Sequence, residues 1–246
     1  MNLSIKNHGI QFVTEGICPF QDMETYYAQL EEITKKLFKA SRAKAFCHAA
    51  RGNSEGYGTW AHTDHAPGSW STEMAKIAAT QQSNQSLPDH FLPPGLTMDD
   101  AKNILKAKRF AVISVWRYLG PTQKCRKSHL ALLDASSLQG PDDYLHFELR
   151  TAPDSSGLSY SGQNFRLKAK EEGSNTNHRW FYFPNMDKDS EAIIFLVYDS
   201  KPTFDSHCHI PTVFHAAFFD PFSPPEEPER QSVDVRILLT WDHNVE

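Results

Sequence analysis

The segment WAHTDHAP, residues 60 to 67, sets His62, Asp64 and His65 within four positions and then meets Pro67 and Gly68, the residues of a sharp turn. Imidazole nitrogens and carboxylate oxygens are common donors to first-row metal ions. If residues 60 to 64 form a strand, side chains alternate, so His62 and Asp64 point to one face while the adjacent Asp64 and His65 point to opposite ones. His62 with Asp64 is the favoured pair, and His65 is the substitute for His62. A second imidazole from a distant strand would complete a set of two histidines and one carboxylate, which occupies three positions on Fe(II) and leaves three open. An exposed polar turn would carry the same letters, so the third ligand needs its own argument.

His207 and His209 lie in the polar stretch DSHCH, whereas His215 lies in the apolar run TVFHAAFF, residues 212 to 219. A histidine on an apolar strand is ordinarily a core residue, and what singles out His215 is the segment downstream. In RQSVDVR, residues 230 to 236, alternation puts Arg230, Ser232, Asp234 and Arg236 on one face and Val233 and Val235 on the other. Two guanidiniums turned inward are costly without an anionic partner. A dicarboxylate suits them, because arginine grips a carboxylate through two parallel N–H donors and a neighbouring serine adds a third. The alternative partners are Glu226, Glu227 and Glu229 for Arg230 at the surface and Asp234 for Arg236.

The elements that must hold these residues are mainly strands. FAVISVW (110 to 116), LALL (130 to 133), YLHFEL (144 to 149), WFYF (180 to 183), AIIFLVYD (192 to 199), TVFHAAFF and VDVRILLTW (233 to 241) are short apolar or alternating runs divided by Gly, Pro, Asp, Ser and Asn. AIIFLVYD alone would equally suit a buried helix. With a strand at residues 60 to 64 the count reaches about eight, which suits a jelly roll or double-stranded β-helix, a cupin-like core around a pocket. Met23, Tyr27, Leu30, Ile33 and Leu37 form the stripe of a helix within 21 to 39, and Thr97 with Asp99 and Asp100 starts a second. A single domain over 1–246 is expected, with a helical N-terminal part at about 20–108 packed on the β core. The polar stretch at about 150–178 is expected to be a loop insertion, and the proline-rich 221 to 230 an extended connector.

The chain has 25 Lys plus Arg against 30 Asp plus Glu, a net charge of -5, which leaves no basic footprint for nucleic acid or an anionic membrane and favours a small-molecule partner. Cys18, Cys47, Cys125 and Cys208 are scattered without a C-x-x-C pair, which points to neither a zinc ribbon nor a disulfide framework. No signal-type run opens the chain and no stretch reaches the roughly 18 apolar residues of a membrane span, so a cytoplasmic location is expected.

The order H-x-D, a long β-rich interval, His, then R-x-S resembles the iron(II)- and 2-oxoglutarate-dependent oxygenases. A narrower resemblance, to the fungal and bacterial group that includes gibberellin desaturase and the cephem methoxylase component, rests on seven stretches. These are FVTEG (12 to 16), HTDHAP (62 to 67), VISVWRYLGP (112 to 121), HRWFYFPNM (178 to 186), the E-x6-YDS of 191 to 200, FHAAFFDP (214 to 221) and RQSVDVR. The chain departs from that group at Tyr118, where W-R-P is usual, and around Lys124 to Ser128.

The resemblance implies Fe(II) held by His62, Asp64 and His215, with 2-oxoglutarate held by Arg230 and Ser232 beside Arg236, and O2 as co-reactant. The substrate would lie near Arg117, Trp60 and Tyr182. Hydroxylation, desaturation and oxidative cyclisation of a small carboxylic-acid or amino-acid-derived metabolite in natural-product biosynthesis are the implied reactions. The rival reading is a cupin-like protein that binds a metal or small ligand without turnover.

Overall fold

Val, Ile and Phe recur in short alternating or continuous runs, and such residues pack well on a pleated surface, so strands dominate. The computed structural model describes residues 3–52, 58–66, 95–150, 161–169, 178–201 and 212–243. These form α1 (Ile5–His8), β1 (Ile10–Val13), α2 (Met23–Leu37), β2 (Arg42–Arg51), α3 (Met98–Lys106), β3 (Arg109–Tyr118), β4 (Lys124–Cys125) and β5 (Leu130–Leu133). There follow β6 (Tyr144–Arg150), β7 (Ser161–Leu167), β8 (Trp180–Phe181), β9 (Met186–Asp187), β10 (Ala192–Asp199), β11 (His215–Ala217) and β12 (Ser232–Trp241).

The larger sheet has the order β1-β10-β3-β12-β2, with every neighbouring pair antiparallel. The second contains β8-β5-β11 and the hairpin β6-β7, and residues 61–63 join these two parts. His62 bridges to His215 on one side and to Arg166 on the other. The Leu167 N–H donates to the Ala61 carbonyl at 3.0 Å, and the Thr63 N–H to the Phe165 carbonyl at 3.0 Å. The sheets face each other, since the ring of Phe195 on β10 lies 5.0 Å from that of His215 on β11. Two facing antiparallel sheets form the jelly-roll, cupin-like core that the strand pattern predicts.

Helix α2 covers the outer face of the larger sheet. Tyr26, Leu30 and Thr34, four residues apart, are its buried stripe, and Asp22 caps it by accepting from the Thr25 N–H at 2.8 Å. Helix α3 opens with a capping box, in which the Thr97 N–H donates to Asp100 Oδ2 at 2.8 Å and the Asp100 N–H donates to the Thr97 hydroxyl at 3.3 Å.

The structure revises several boundaries. Residues 60–64 are not a strand; only His62 enters a bridge. The stretch at 150–178 is not all loop, because it contains β7, whose ladder with β6 runs from Tyr144↔Leu167 to Arg150↔Ser161. The part at 20–108 is not wholly helical, because β2 pairs with β12 along the edge of the larger sheet. WFYF and TVFHAAFF shrink to Trp180–Phe181 and His215–Ala217, while AIIFLVYD is a strand throughout its length. Pro67, Gly68, His207, Cys208 and His209 lie outside the described residues.

Candidate metal centre

Directly opposed residues of an antiparallel pair project to the same face, so the double bridge of His62 sets His215, His62 and Arg166 side by side across three segments. Asp64, two residues beyond His62, reaches the same point, and one donor atom from each of His62, Asp64 and His215 lies within 4.8 Å of the others. The two imidazole centroids are 4.5 Å apart. Each ring is held by its own backbone: His62 Nδ1 lies 2.6 Å from the Trp60 carbonyl and His215 Nδ1 lies 3.3 Å from that of Val213. A carbonyl only accepts, so both contacts assign the proton to Nδ1 and leave Nε2 as the atom able to accept a metal. Gly58 gives the His62 ring its room, since a Cβ there would stand 2.7 Å from Cε1.

Burial, reinforced by nearby His215, pushes His62 down to about 4, so the ring is neutral and ready to ligate at neutral pH. His215 Nε2 lies 3.6 Å from Asp64 Oδ1. Burial opposes charge on His215, but the Asp64 carboxylate outweighs it and raises the imidazole above its ordinary value. Burial also works against ionised Asp64, yet Arg236 and His215 hold that carboxyl well below the usual range. Two imidazoles and an ionised carboxylate are a donor set that fits Fe(II).

Arg236 anchors the carboxylate from behind. Its Nη2 lies 2.7 Å from Asp64 Oδ2, and its Nη1 lies 2.5 Å from Asp234 Oδ1 and donates to the Ser114 hydroxyl at 2.6 Å. Ser114 in turn donates to Asp234. Arg236 and Ser114 are directly opposed in the β12–β3 ladder, which explains their meeting. The charge of Arg236 is thus committed to two carboxylates of the protein, a use the sequence offered only through Asp234.

One strand start away, Arg230 is buried, with its guanidinium 5.3 Å from the centroid of Trp116 and Nη1 donating to the Ser128 carbonyl. Ser232 is also buried, and its hydroxyl has no hydrogen-bond partner among the described residues. A buried cation beside an unsatisfied hydroxyl fits a carboxylate ligand.

Arg117 is not brought to this site. It opposes Val233 and so faces away from Ser232, Asp234 and Arg236. There its Nε donates to the Lys188 carbonyl at 2.8 Å, its Nη2 to that of Cys18 at 2.7 Å, and its guanidinium lies 5.2 Å from the Tyr26 ring centroid. Trp60 is 71% exposed, beneath the guanidinium of Arg166. Tyr182 packs instead against His129 and Phe218, with centroids 5.4 and 4.9 Å away. Arg166, Ser114 and Trp116 are the site neighbours that sequence reasoning missed. The alternation in QNFRL, residues 163 to 167, was the available signal for Arg166, and its polar flanks concealed it.

Residues 2–240 match the family described as YDMC, oxidoreductase/YMDC permease-like domain. The chain is 26% identical over 252 residues to a hydroxylase/desaturase, efuI, of Hormonema carpetanum, covering 97% of this chain and 79% of the relative. It is 25% identical over 261 residues to the Fe(II)/2-oxoglutarate-dependent dioxygenase nvfI of Aspergillus novofumigatus, covering 97% and 78%. Its fold is similar to the solved structure of the iron and alpha-ketoglutarate-dependent endoperoxidase NvfI, with a TM-score of 0.68 at 23% identity, covering 98% of this chain and 82% of that one. With nearly its whole length matched, the chain belongs to the oxidoreductase/YMDC permease-like domain family.

Proposed function

We propose that this chain is an Fe(II)/2-oxoglutarate-dependent dioxygenase that oxidises a small carboxylic-acid or amino-acid-derived metabolite, by hydroxylation, desaturation or oxidative cyclisation, in natural-product biosynthesis. The convergence of His62, Asp64 and His215 within 4.8 Å carries this reading. It is supported by relatives named as a hydroxylase/desaturase and an Fe(II)/2-oxoglutarate-dependent dioxygenase. The motifs from FVTEG to RQSVDVR support the narrower kinship with the gibberellin desaturase and cephem methoxylase group.

In this reading His62 and His215 hold the metal through Nε2 and Asp64 through its carboxylate. When bound, iron with 2-oxoglutarate and O2 supplies the oxidising chemistry. The protein supplies position and charge. Arg236 keeps Asp64 ionised and oriented, and Arg230 and Ser232 take the distal carboxylate of 2-oxoglutarate. Trp116 covers the Arg230 guanidinium and keeps water from it, which strengthens the charge-assisted contact. Residues 1–246 act as one domain on a small molecule and not on nucleic acid, in keeping with the net charge of -5. No helix of the described residues is long and apolar enough to cross a membrane. The free thiols of Cys18, Cys47 and Cys125 suit the reducing cytoplasm.

The test is reconstitution. With Fe(II), ascorbate and O2 the protein should convert 2-oxoglutarate into succinate, slowly alone and faster with a substrate, and His215→Ala should lose iron binding while still folding. Arg230→Ala should raise the 2-oxoglutarate requirement by about one to three decades, the cost of leaving a buried charge without its partner. Metal and 2-oxoglutarate binding without succinate, across a broad screen of acids, would leave a binding protein in place of an enzyme.

A further inference from the structure

We propose that the surface beside His62 is a substrate shelf, on which Arg166 grips the carboxylate of an apolar small molecule lying against Trp60 and Phe147. The identity of this molecule as the one oxidised rests on the oxygenase reading above; the contact itself does not.

Strand pairing fixes the direction. Arg166 is opposed to His62 on one side and to Leu145 on the other, so its side chain leaves the sheet on the same face as the two imidazoles. The metal-binding face therefore continues outward through Arg166 to Leu145 and Phe147. Three large apolar side chains are exposed around this arginine: Trp60 at 71%, Leu145 at 55% and Phe147 at 42%. A scattered exposed Leu or Trp is ordinary, but a contiguous group beside a ligand cluster marks a binding surface.

Arg166 is prepared for an anion. Its guanidinium carbon lies 5.4 Å from the Trp60 centroid and 4.7 Å from that of Phe147, so aromatic rings flank the cation. Its Nε is buried and has no hydrogen-bond acceptor among the described residues, and no carboxylate of those residues lies within ion-pair distance of it. Rings that pack on a guanidinium occupy its faces and leave the donors in its plane, the geometry that a planar carboxylate matches through two N–H bonds. A single arginine among aromatic and aliphatic surfaces suits a monoanionic, largely apolar acid. This assigns to Arg166 the role the sequence offered to Arg117, which faces away from the ligand cluster and whose Nε and Nη2 donate to the Lys188 and Cys18 carbonyls.

The experiment is calorimetric titration of the protein, saturated with Mn(II) and 2-oxoglutarate so that an added acid cannot take either place. The probes are 3-phenylpropionate, 2-naphthoate and decanoate, each compared with its primary amide. At least one acid should bind about tenfold or more tightly than its amide, and Arg166→Gln should erase the difference, as expected for a charge-assisted pair. Acids that bind no better than their amides, or a preference that survives in Arg166→Gln, would overturn the proposal. Should Arg166→Gln not fold, Trp60→Ala carries the test, because removing one ring must weaken the acids, and unchanged binding overturns the shelf. Mn(II) and 2-oxoglutarate binding are titrated first in the same samples. Their failure beside an intact acid preference overturns the oxygenase reading alone, and their success without any preference overturns the shelf alone.

Discussion

Arg236 meets Asp64 at 2.7 Å and Asp234 at 2.5 Å, which makes one side chain responsible both for burying a second carboxylate and for aiming the first. Arg236→Met keeps much of the bulk and removes the charge, leaving Asp234 buried against Ser114. Breaking a buried ion pair from one side costs about 3–5 kcal/mol, which urea unfolding would register as a lower midpoint. Because Asp64 also loses its support, metal affinity should fall by about 10- to 100-fold, as for other groups that orient a ligand from behind. Adding Asp234→Leu should restore much of the stability and none of the affinity. An unchanged affinity in Arg236→Met would show that Asp64 is aimed by something else.

At the level of elements, α3 stands on its Thr97 cap, where side chain and backbone are exchanged reciprocally with Asp100. Thr97→Ala should cost about 0.5–2 kcal/mol in chemical denaturation, and a neutral result would mean that packing of Ala101 and Ile104 alone holds the helix. Helices α2 and α3 and strands β3 and β12 were legible in the sequence because each buries a regular stripe or an alternating or apolar run, whereas the unbroken run of β10 also suited a buried helix, and its pairing with β1 and β3 makes it a strand. Strand β2 was not, since RAKAFCHAAR is an edge strand of small and charged residues with little apolar period. Strand β7 was hidden for a related reason: SGQNFRL buries Asn164 and Phe165 in sequence and owes its conformation to pairing with β6. The candidate trio His62, Asp64 and His215 was readable from residue type and order, although residues 60–64 are not the strand whose alternation was invoked, and the bridge from His62 to His215 is what brings the side chains together. The roles of Arg117 and Arg166 were not, because which face of a strand lies inward depends on the neighbouring strand. Arg117 turns toward α2, and Arg166 rises beside His62.

For the whole molecule, the imidazoles make the metal-free protein sensitive to acid and base in opposite senses. His62 titrates at 6.5 in the unfolded chain and at about 4 in the fold. As pH falls below 6.5 the unfolded chain takes up a proton first, so stability is complete above 6.5 and is lost toward 4, by up to about 3 kcal/mol from this group. His215 is raised instead, so its contribution is complete below 6.5 and fades as pH rises through its folded value. Urea midpoints across pH 4 to 7 should show the acid limb, and His62→Gln should flatten it; an equally steep limb in that variant would exclude His62 as the cause. The larger sheet carries one more consequence, of timing. Strand β12 lies between β3 and the edge strand β2, and β12 is synthesised after both of them. While the ribosome still holds residues 232 to 241, β2 has no sheet partner and the Arg236 anchor is missing from the ligand cluster. The nascent chain must therefore leave the facing edges of β2 and β3 open until residues 232 to 241 emerge, and this is the interval in which chaperone capture, premature metal capture and aggregation compete with folding.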